Sequence, residues 1–203
     1  RRHAFSDIGA DRYRQRVPPR FWIYWIALLL SVAAEFCMLS WSADYLENSL
    51  GMVKAEAAQA VSLFLAGMIF GRLAGSRLVQ RFTTHTVITA SVGLAGSGFL
   101  LFWLTQGILP GLVGLFVTGL GIASLYPLAV SLAIGSAGSN TVQASARAML
   151  ASGMAILTLP LVLGRLADGL GIRPAYGLVL VLLVGVMGIC QVQKKGDINA
   201  SPK

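Results

Sequence analysis

The sequence predicts an all-α integral membrane protein, with six transmembrane helices arranged as a three-plus-three inverted repeat. Three observations lead there. Hydrophobic residues fill 56% of the 203 positions and charged residues only 12%, whereas a soluble domain carries roughly a quarter charged. The charges are clustered, so long uncharged runs lie between them. A phrase also recurs: GRLAGSRLVQRF, from Gly71 to Phe82, has a twin in GRLADGLGIRPAY, from Gly164 to Tyr176, with the same first four residues.

A spanning helix needs about 20 mostly apolar residues, and six segments qualify. The first runs from Phe21 to about Leu46, opened by Pro18-Pro19, with Trp22, Tyr24 and Trp25 at interface depth. The second runs from about Glu56 to Leu78 and the third from about Thr86 to Thr105. Pro110 to about Ile134 is the fourth, Thr141 to about Leu163 the fifth, and Pro174 to Val192 the sixth. Short polar or glycine-rich connections such as ENSLGMVK, TQGILP and GSAGSNTVQ separate them. The chain thus divides into a basic loop over 1–20, a six-helix bundle over 21–193 and a tail over 194–203. The third and sixth spans carry no charge, as scaffold helices facing lipid should; Gly93, Gly96 and Gly98 in the third are expected to permit close packing.

The net charge of +8 does not point to nucleic acid, because of where the cations fall. Arg1, Arg2, Arg12, Arg14, Arg16 and Arg20 precede the first span; Arg72, Arg77, Arg81 and Arg147 lie at one side of the bundle, and Lys194, Lys195 and Lys203 follow the last span. Only Lys54, Arg165 and Arg173 fall on the other side, so thirteen of the sixteen cations share one side. By the positive-inside rule that side is cytoplasmic, and an even number of spans is required. Gly71 and Gly164 lie 93 residues apart, the length of three spans with their loops. Three is odd, so the two copies face opposite sides, as in the inverted repeats of secondary transporters. Gly71 and Gly75 are expected to make tight turns. Cys37 and Cys190 fall inside apolar segments and are expected to be buried thiols without a disulfide. A cleavable leader is not expected, and a chain beginning with Arg1 is expected to be part of a longer protein.

These residues resemble the major facilitator superfamily, and the whole chain is similar to the carboxyl-terminal half of such a transporter. GRLAGSRLVQR resembles the family's cytoplasmic loop motif, Gly-x-Leu-Ala-Asp-x-x-Gly-Arg-Lys: Gly71, Leu73 and Ala74 match, Arg72 fills the variable place, and Arg81 resembles the basic end. Gly75 stands where the aspartate that helps latch the cytoplasmic gate is expected, and Leu78 where the second glycine is. The later copy, with Gly164, Arg165 and Asp168, falls in the expected external loop between the last two helices. A narrower resemblance joins SVAAEFCMLSWSADYL in the first span and GLGIASLYPLAVSLA in the fourth to fucose-permease-like sugar symporters. The resemblance implies an amino-terminal six-helix half as partner, a central cavity lined by the first and fourth spans, and a bacterial inner membrane as location.

Glu35 carries the most information. An ionised carboxylate near the middle of an uncharged span costs several kcal/mol, so such a residue faces a bundle interior or a watery cavity. Ser31, Glu35, Met38, Ser42 and Tyr45 recur at steps of three and four and form one semi-polar stripe, with Trp41 on its flank. Glu35 there can carry a coupling proton or hydrogen-bond a polar substrate; the alternative is a structural carboxyl bonded to a neighbouring helix, and no basic partner is expected at its depth. In the fourth span Pro127 removes a backbone donor, and Ser124 and Tyr126 face either a cavity or a packed interface. Ser152, Thr158 and Pro160 in the fifth span suit packing or gating. Arg147, one to two turns from the inner end, can snorkel to the headgroups. Asp44, Glu47 and Glu56 form a solvated outer rim. His3 and His85 lie too far apart to share a metal, no phosphate-binding loop or nucleophile–base pair is present, and neither enzyme chemistry nor a cofactor is expected.

The expected function is secondary active transport, proton-coupled, of a small polar solute such as a sugar. The alternatives are a drug or amphiphile exporter of the same superfamily, and a non-transporting membrane scaffold or receptor.

Overall fold

The computed structural model describes residues 18–138 and 140–200, with side chains described through Val192. The basic head over 1–17 and the tail lysines Lys194, Lys195 and Lys203 lie outside the described side chains. Eight helices are described: α1 (Pro19–Leu50), α2 (Lys54–Leu78), α3 (Thr84–Leu104), α4 (Ile108–Ile122), α5 (Leu125–Gly135), α6 (Thr141–Leu170), α7 (Ile172–Ala175) and α8 (Gly177–Ala200). They make six segments long and apolar enough to cross a membrane, with α4 and α5 forming the fourth and α7 and α8 the sixth. Inner and outer ends are named below from the distribution of lysine and arginine.

Local chemistry sets the boundaries. Pro19 occupies the first turn of α1, where a missing N–H is no loss. At the other end Gly51 adopts φ 72°, the left-handed conformation glycine takes without strain, and its N–H and that of Met52 close the last turn on Glu47 and Leu46 carbonyls. Thr83 caps α3 by accepting a hydrogen bond from the Thr86 N–H. The fourth span breaks at Ala123 and Ser124, because Pro127 cannot donate to the Ala123 carbonyl four residues back. The fifth span runs seven residues past its expected end, to Leu170, and Gly171 at φ 86° stops it.

The first span is the hub, packed along the fifth, the fourth, the sixth and the second. The second span packs along the fourth, the fourth along the third, and the third along the sixth. Without a hydrophobic drive between helices in lipid, close backbone approach has to supply the association. Gly67, Gly71 and Gly75 supply it on α2: a Cβ at Gly71 would meet the Leu120 carbonyl and come within 2.7 Å of the Ala123 Cβ, and one at Gly75 would strike the Ser124 hydroxyl. The expectation of tight turns at Gly71 and Gly75 is therefore corrected; both are helical and lie in a small-residue seam, with GRLAGSRL inside α2 as the expected span to Leu78 has it. Gly164 does the same on α6, against the Trp41 indole, and Gly164, Arg165 and Asp168 are helical rather than part of an external loop. Of the three glycines in α3, only Gly98 makes a close approach, to Val117 and Thr118; Gly93 and Gly96 face open space, which corrects the expectation for those two.

The outer half is locked by an aromatic cluster. Tyr45, Phe99, Phe102, Trp103 and Tyr176 bring the first, third and sixth spans together, with the Tyr45 and Tyr176 ring centroids 4.9 Å apart. Polar atoms in this cluster are satisfied: the Tyr45 hydroxyl donates to the Trp103 carbonyl at 2.6 Å, and the Ser42 and Tyr176 hydroxyls bond each other at 2.9 Å. At its edge the Trp103 indole donates to the Arg173 carbonyl, and the Arg173 guanidinium returns a bond of 3.1 Å to the Leu104 carbonyl at the end of α3. A cation on the last carbonyls of a helix also favours the helix dipole. Arg173→Ala is expected to lower the unfolding midpoint of the full-length protein by about 1 kcal/mol equivalent; an unchanged midpoint would show that water replaces the guanidinium without loss. Cys37 and Cys190 are both free and buried.

Candidate functional site

The first span carries Glu35 sixteen residues past its inner end, and α2 carries Arg72 six residues before its own inner end. Antiparallel packing of the two brings the Arg72 guanidinium to 3.8 Å from the Glu35 carboxylate. That is an ion pair by charge but too long for a hydrogen bond. The expectation of no basic partner for Glu35 is overturned. Arg72 is helical, and its exposed side chain reaches the Glu35 carboxylate from α2.

The pair opens on a cavity of about 180 Å³ lined by Val32, Glu35, Phe36, Arg72, Tyr126, Ser152 and Ile156. Four spans contribute: the first, second, fourth and fifth. The third and sixth supply no lining residue. Glu35 is 13% exposed and Arg72 58% exposed, so the carboxylate forms the floor and the guanidinium the rim. Tyr126, 38% exposed, stands just beyond the break in the fourth span. The Ser152 hydroxyl bonds the Ala148 carbonyl within its own helix. Pro160 cannot donate to the carbonyl of the lining residue Ile156, which leaves that carbonyl without its helical donor.

The other sequence candidates lie elsewhere. Ser124 is buried and donates to the Gly71 carbonyl at 3.3 Å, in the seam between the second and fourth spans. Tyr126, two residues on, lines the cavity, and Ser124 does not. Tyr45 is fully buried in the outer aromatic cluster. Trp41 donates from its indole to the Pro160 carbonyl at 2.9 Å and packs on Gly164, holding the first span to the fifth. The semi-polar stripe of α1 thus divides: Ser42 and Tyr45 face the sixth and third spans, and Glu35 alone of the stripe lines the cavity. Arg81 lies past the end of α2, and Arg165 and Asp168 are exposed near the end of α6. Arg147 stacks over the Trp22 ring at 5.4 Å, and its carbonyl accepts the Trp25 indole, which anchors the inner end of the fifth span to the first.

Among the described residues no group of three His, Cys, Asp or Glu side chains could hold a metal. The cavity offers instead one carboxylate, one guanidinium, one phenol and one hydroxyl between apolar walls.

Comparison with known proteins agrees with this architecture. An uncharacterized MFS-type transporter of Yersinia pestis is 28% identical over 126 residues, covering 61% of this chain and 32% of the relative. An uncharacterized transporter of Sinorhizobium fredii is 35% identical over 105 residues, covering 52% of this chain and 28% of the relative. The chain therefore spans about a third of the length of the curated relatives it matches. Among solved structures, the MFS transporter FucP in its outward conformation superposes with a TM-score of 0.78 at 22% identity, over 86% of this chain and 42% of that one. The POT family transporter PepTSo gives 0.78 at 18% identity, over 89% of this chain and 38% of that one. Residues 13–192 match the family model described as Major Facilitator Superfamily, and the chain is a multi-pass membrane protein that belongs to that superfamily.

Proposed function

We propose that the chain forms one six-helix half of a proton-coupled secondary transporter for a small polar solute, such as a sugar. One observation carries this reading: an intramembrane carboxylate paired at 3.8 Å with a guanidinium, both on a cavity built from four spans. Charges at such depth are costly and mark substrate or proton routes. A carboxyl that gains a proton releases its cationic partner, which couples proton occupancy to the polarity of the cavity. FucP, which shares the fold, is a fucose:proton symporter in E. coli. Glu35 would carry the proton, with Arg72 and Tyr126 contacting the solute.

A second six-helix bundle, the amino-terminal half, would close the cavity from the other side. The fifth span is the least covered of the six, and Met149, Leu157 and Leu161 along it are largely exposed, as a face awaiting another bundle should be. Alternating access would come from rocking of one bundle against the other, in a bacterial inner membrane, a location that the bacterial relatives support.

The three-plus-three repeat is part of the same reading. Exchanging first with fourth and second with fifth spans maps the contact of Gly71 with the fourth span onto the contact of Gly164 with the first. This supports the twin phrase as a repeated packing device. A second functional reading, export of a lipophilic compound, draws on the apolar walls Val32, Phe36 and Ile156.

The test is thermal unfolding of the full-length protein in mild detergent against sugars, polyols and lipophilic cations. A ligand at about 100 times its Kd adds about 2.7 kcal/mol to the folded state. A polar solute is expected to raise the midpoint in the wild type, and Glu35→Gln to make that rise independent of pH. Stabilisation by lipophilic cations alone would replace the symport reading with export.

A further inference from the structure

We infer that the solute carries a single carboxylate, as a sugar acid does, and that it competes with Glu35 for Arg72. The inference deepens the transport reading and rests on it. Both polar side chains of the rim have hydrogen-bonding capacity left over. A guanidinium presents five N–H donors in a planar fork, yet Arg72 makes no hydrogen bond among the described residues, and its one ion pair sits at 3.8 Å. Nor does the Tyr126 hydroxyl have a described partner, although the residue lines the same cavity. A structural ion pair in a membrane would be short and saturated, because each unmet donor there is costly. This one is long, and its guanidinium stands at the rim, 58% exposed toward the opening.

Charge then selects the ligand. The titratable groups facing Glu35 around the cavity are Arg72 from the second span and Tyr126 from the fourth, while the fifth span contributes Ser152 and Ile156 and the first Val32 and Phe36. The sixth span meets the first through Tyr176, whose hydroxyl is taken by Ser42 and the Cys37 carbonyl, away from the cavity. With Glu35 ionised the lining is neutral. When Glu35 takes up a proton, Arg72 is left as a lone cation at the rim of the cavity, a state that a neutral sugar does not relieve. A carboxylate does, and its two oxygens match the guanidinium fork. A phosphomonoester brings a second negative charge for which the lining holds no cation. The volume of about 180 Å³, against about 30 Å³ for a water in the liquid, admits a small head group and its hydroxyls, with Tyr126 and Ser152 placed to bond them.

The charges balance through the cycle. One proton from solution adds to the Glu35 carboxylate and neutralises it. The solute monoanion then takes the guanidinium. One positive and one negative charge cross together, so transport is electroneutral.

The experiment compares gluconate and glucuronate with glucose, sorbitol and glucose 6-phosphate, by thermal unfolding of the full-length protein at mildly acidic and at neutral pH. The expected result is a raised midpoint with gluconate or glucuronate, larger at the acidic pH, and none with the neutral or phosphorylated compounds. Arg72→Gln should weaken the acid's binding by roughly tenfold or more, Arg72→Lys should retain part of it, and Glu35→Gln should keep the shift but make it independent of pH. Equal stabilisation by glucose, an unchanged shift in Arg72→Gln, or no shift with either acid at high millimolar concentration overturns the inference. Uptake into proteoliposomes separates it from the transport reading. Acid binding without uptake driven by a pH gradient would leave the carboxylate site standing and remove proton-coupled transport. Glucose uptake driven by that gradient, without acid binding, would do the reverse.

Discussion

The Gly71→Leu protein is expected to lose its native bundle. A Cβ at this position already meets the Leu120 carbonyl and approaches the Ala123 Cβ to 2.7 Å, and the obstacle is backbone, which cannot rotate aside. Overpacking usually costs 1–3 kcal/mol and occasionally more, so about 3 kcal/mol or above is expected where a main chain must move. The consequence reaches beyond stability. The second span carries Arg72 one residue further on, and the fourth carries Tyr126 three residues beyond Ala123, so a splayed seam separates two of the cavity's polar groups. Gly93→Ala is the control: nothing lies within 4 Å of the added carbon, and alanine favours the helix by up to about 1 kcal/mol over glycine. Size-exclusion profiles in detergent decide the matter. A sharp wild-type-like peak for Gly71→Leu would mean that the seam yields, and that close backbone approach is not what joins these spans.

The six spans were legible because membrane solvation leaves a strong signal: length and lack of charge suffice, and the ends of the spans fall within a few residues of those expected, apart from the fifth span's late stop at Gly171. The role of the glycines was not. A glycine–arginine phrase near a helix end spells a turn as readily as a packing seam, and sequence does not say that Leu120 and Ala123 lie opposite. Spacing held the better clue. Gly67, Gly71 and Gly75 recur every fourth residue, which aligns them on one helix face.

The cavity was legible in part. Glu35 stood out because a carboxylate in the middle of an apolar run needs a reason, and Tyr126 because a proline follows it. A helical stripe shared with Glu35 points Tyr45 toward the cavity, but a stripe of five residues is wide enough for its two edges to meet different neighbours. The resemblance to a loop motif draws Arg72 toward the gate rather than toward Glu35, although the apolar run continues past it to Leu78. That continuation was the available signal that the arginine lies within the bundle. Ser152 carries no such signal, since a serine in a glycine- and alanine-rich span suits packing equally well.

Glu35→Gln is expected to separate exchange from accumulation. Glutamine keeps the size and the hydrogen-bonding oxygen of glutamate but holds no exchangeable charge, so Arg72 stays unpaired until solute arrives. Binding survives, and its dependence on the proton does not. Loss of the coupling carboxyl removes the link between proton and solute, and accumulation driven by a pH gradient should fall at least about tenfold, with a step of about 1.4 kcal/mol per decade as the measure of the coupling lost. A structural carboxyl bonded to Arg72 would behave otherwise: both modes of transport would decline together, along with the thermal midpoint.

The most direct measurement uses the full-length protein in proteoliposomes with the solute that stabilises the wild type. Accumulation under an imposed inward proton gradient is compared with counterflow exchange without a gradient, in the wild type and in Glu35→Gln. The account predicts that exchange persists in the variant while accumulation collapses to the level of equilibration. Accumulation by Glu35→Gln equal to that of the wild type would contradict it, and would remove Glu35 from the coupling step.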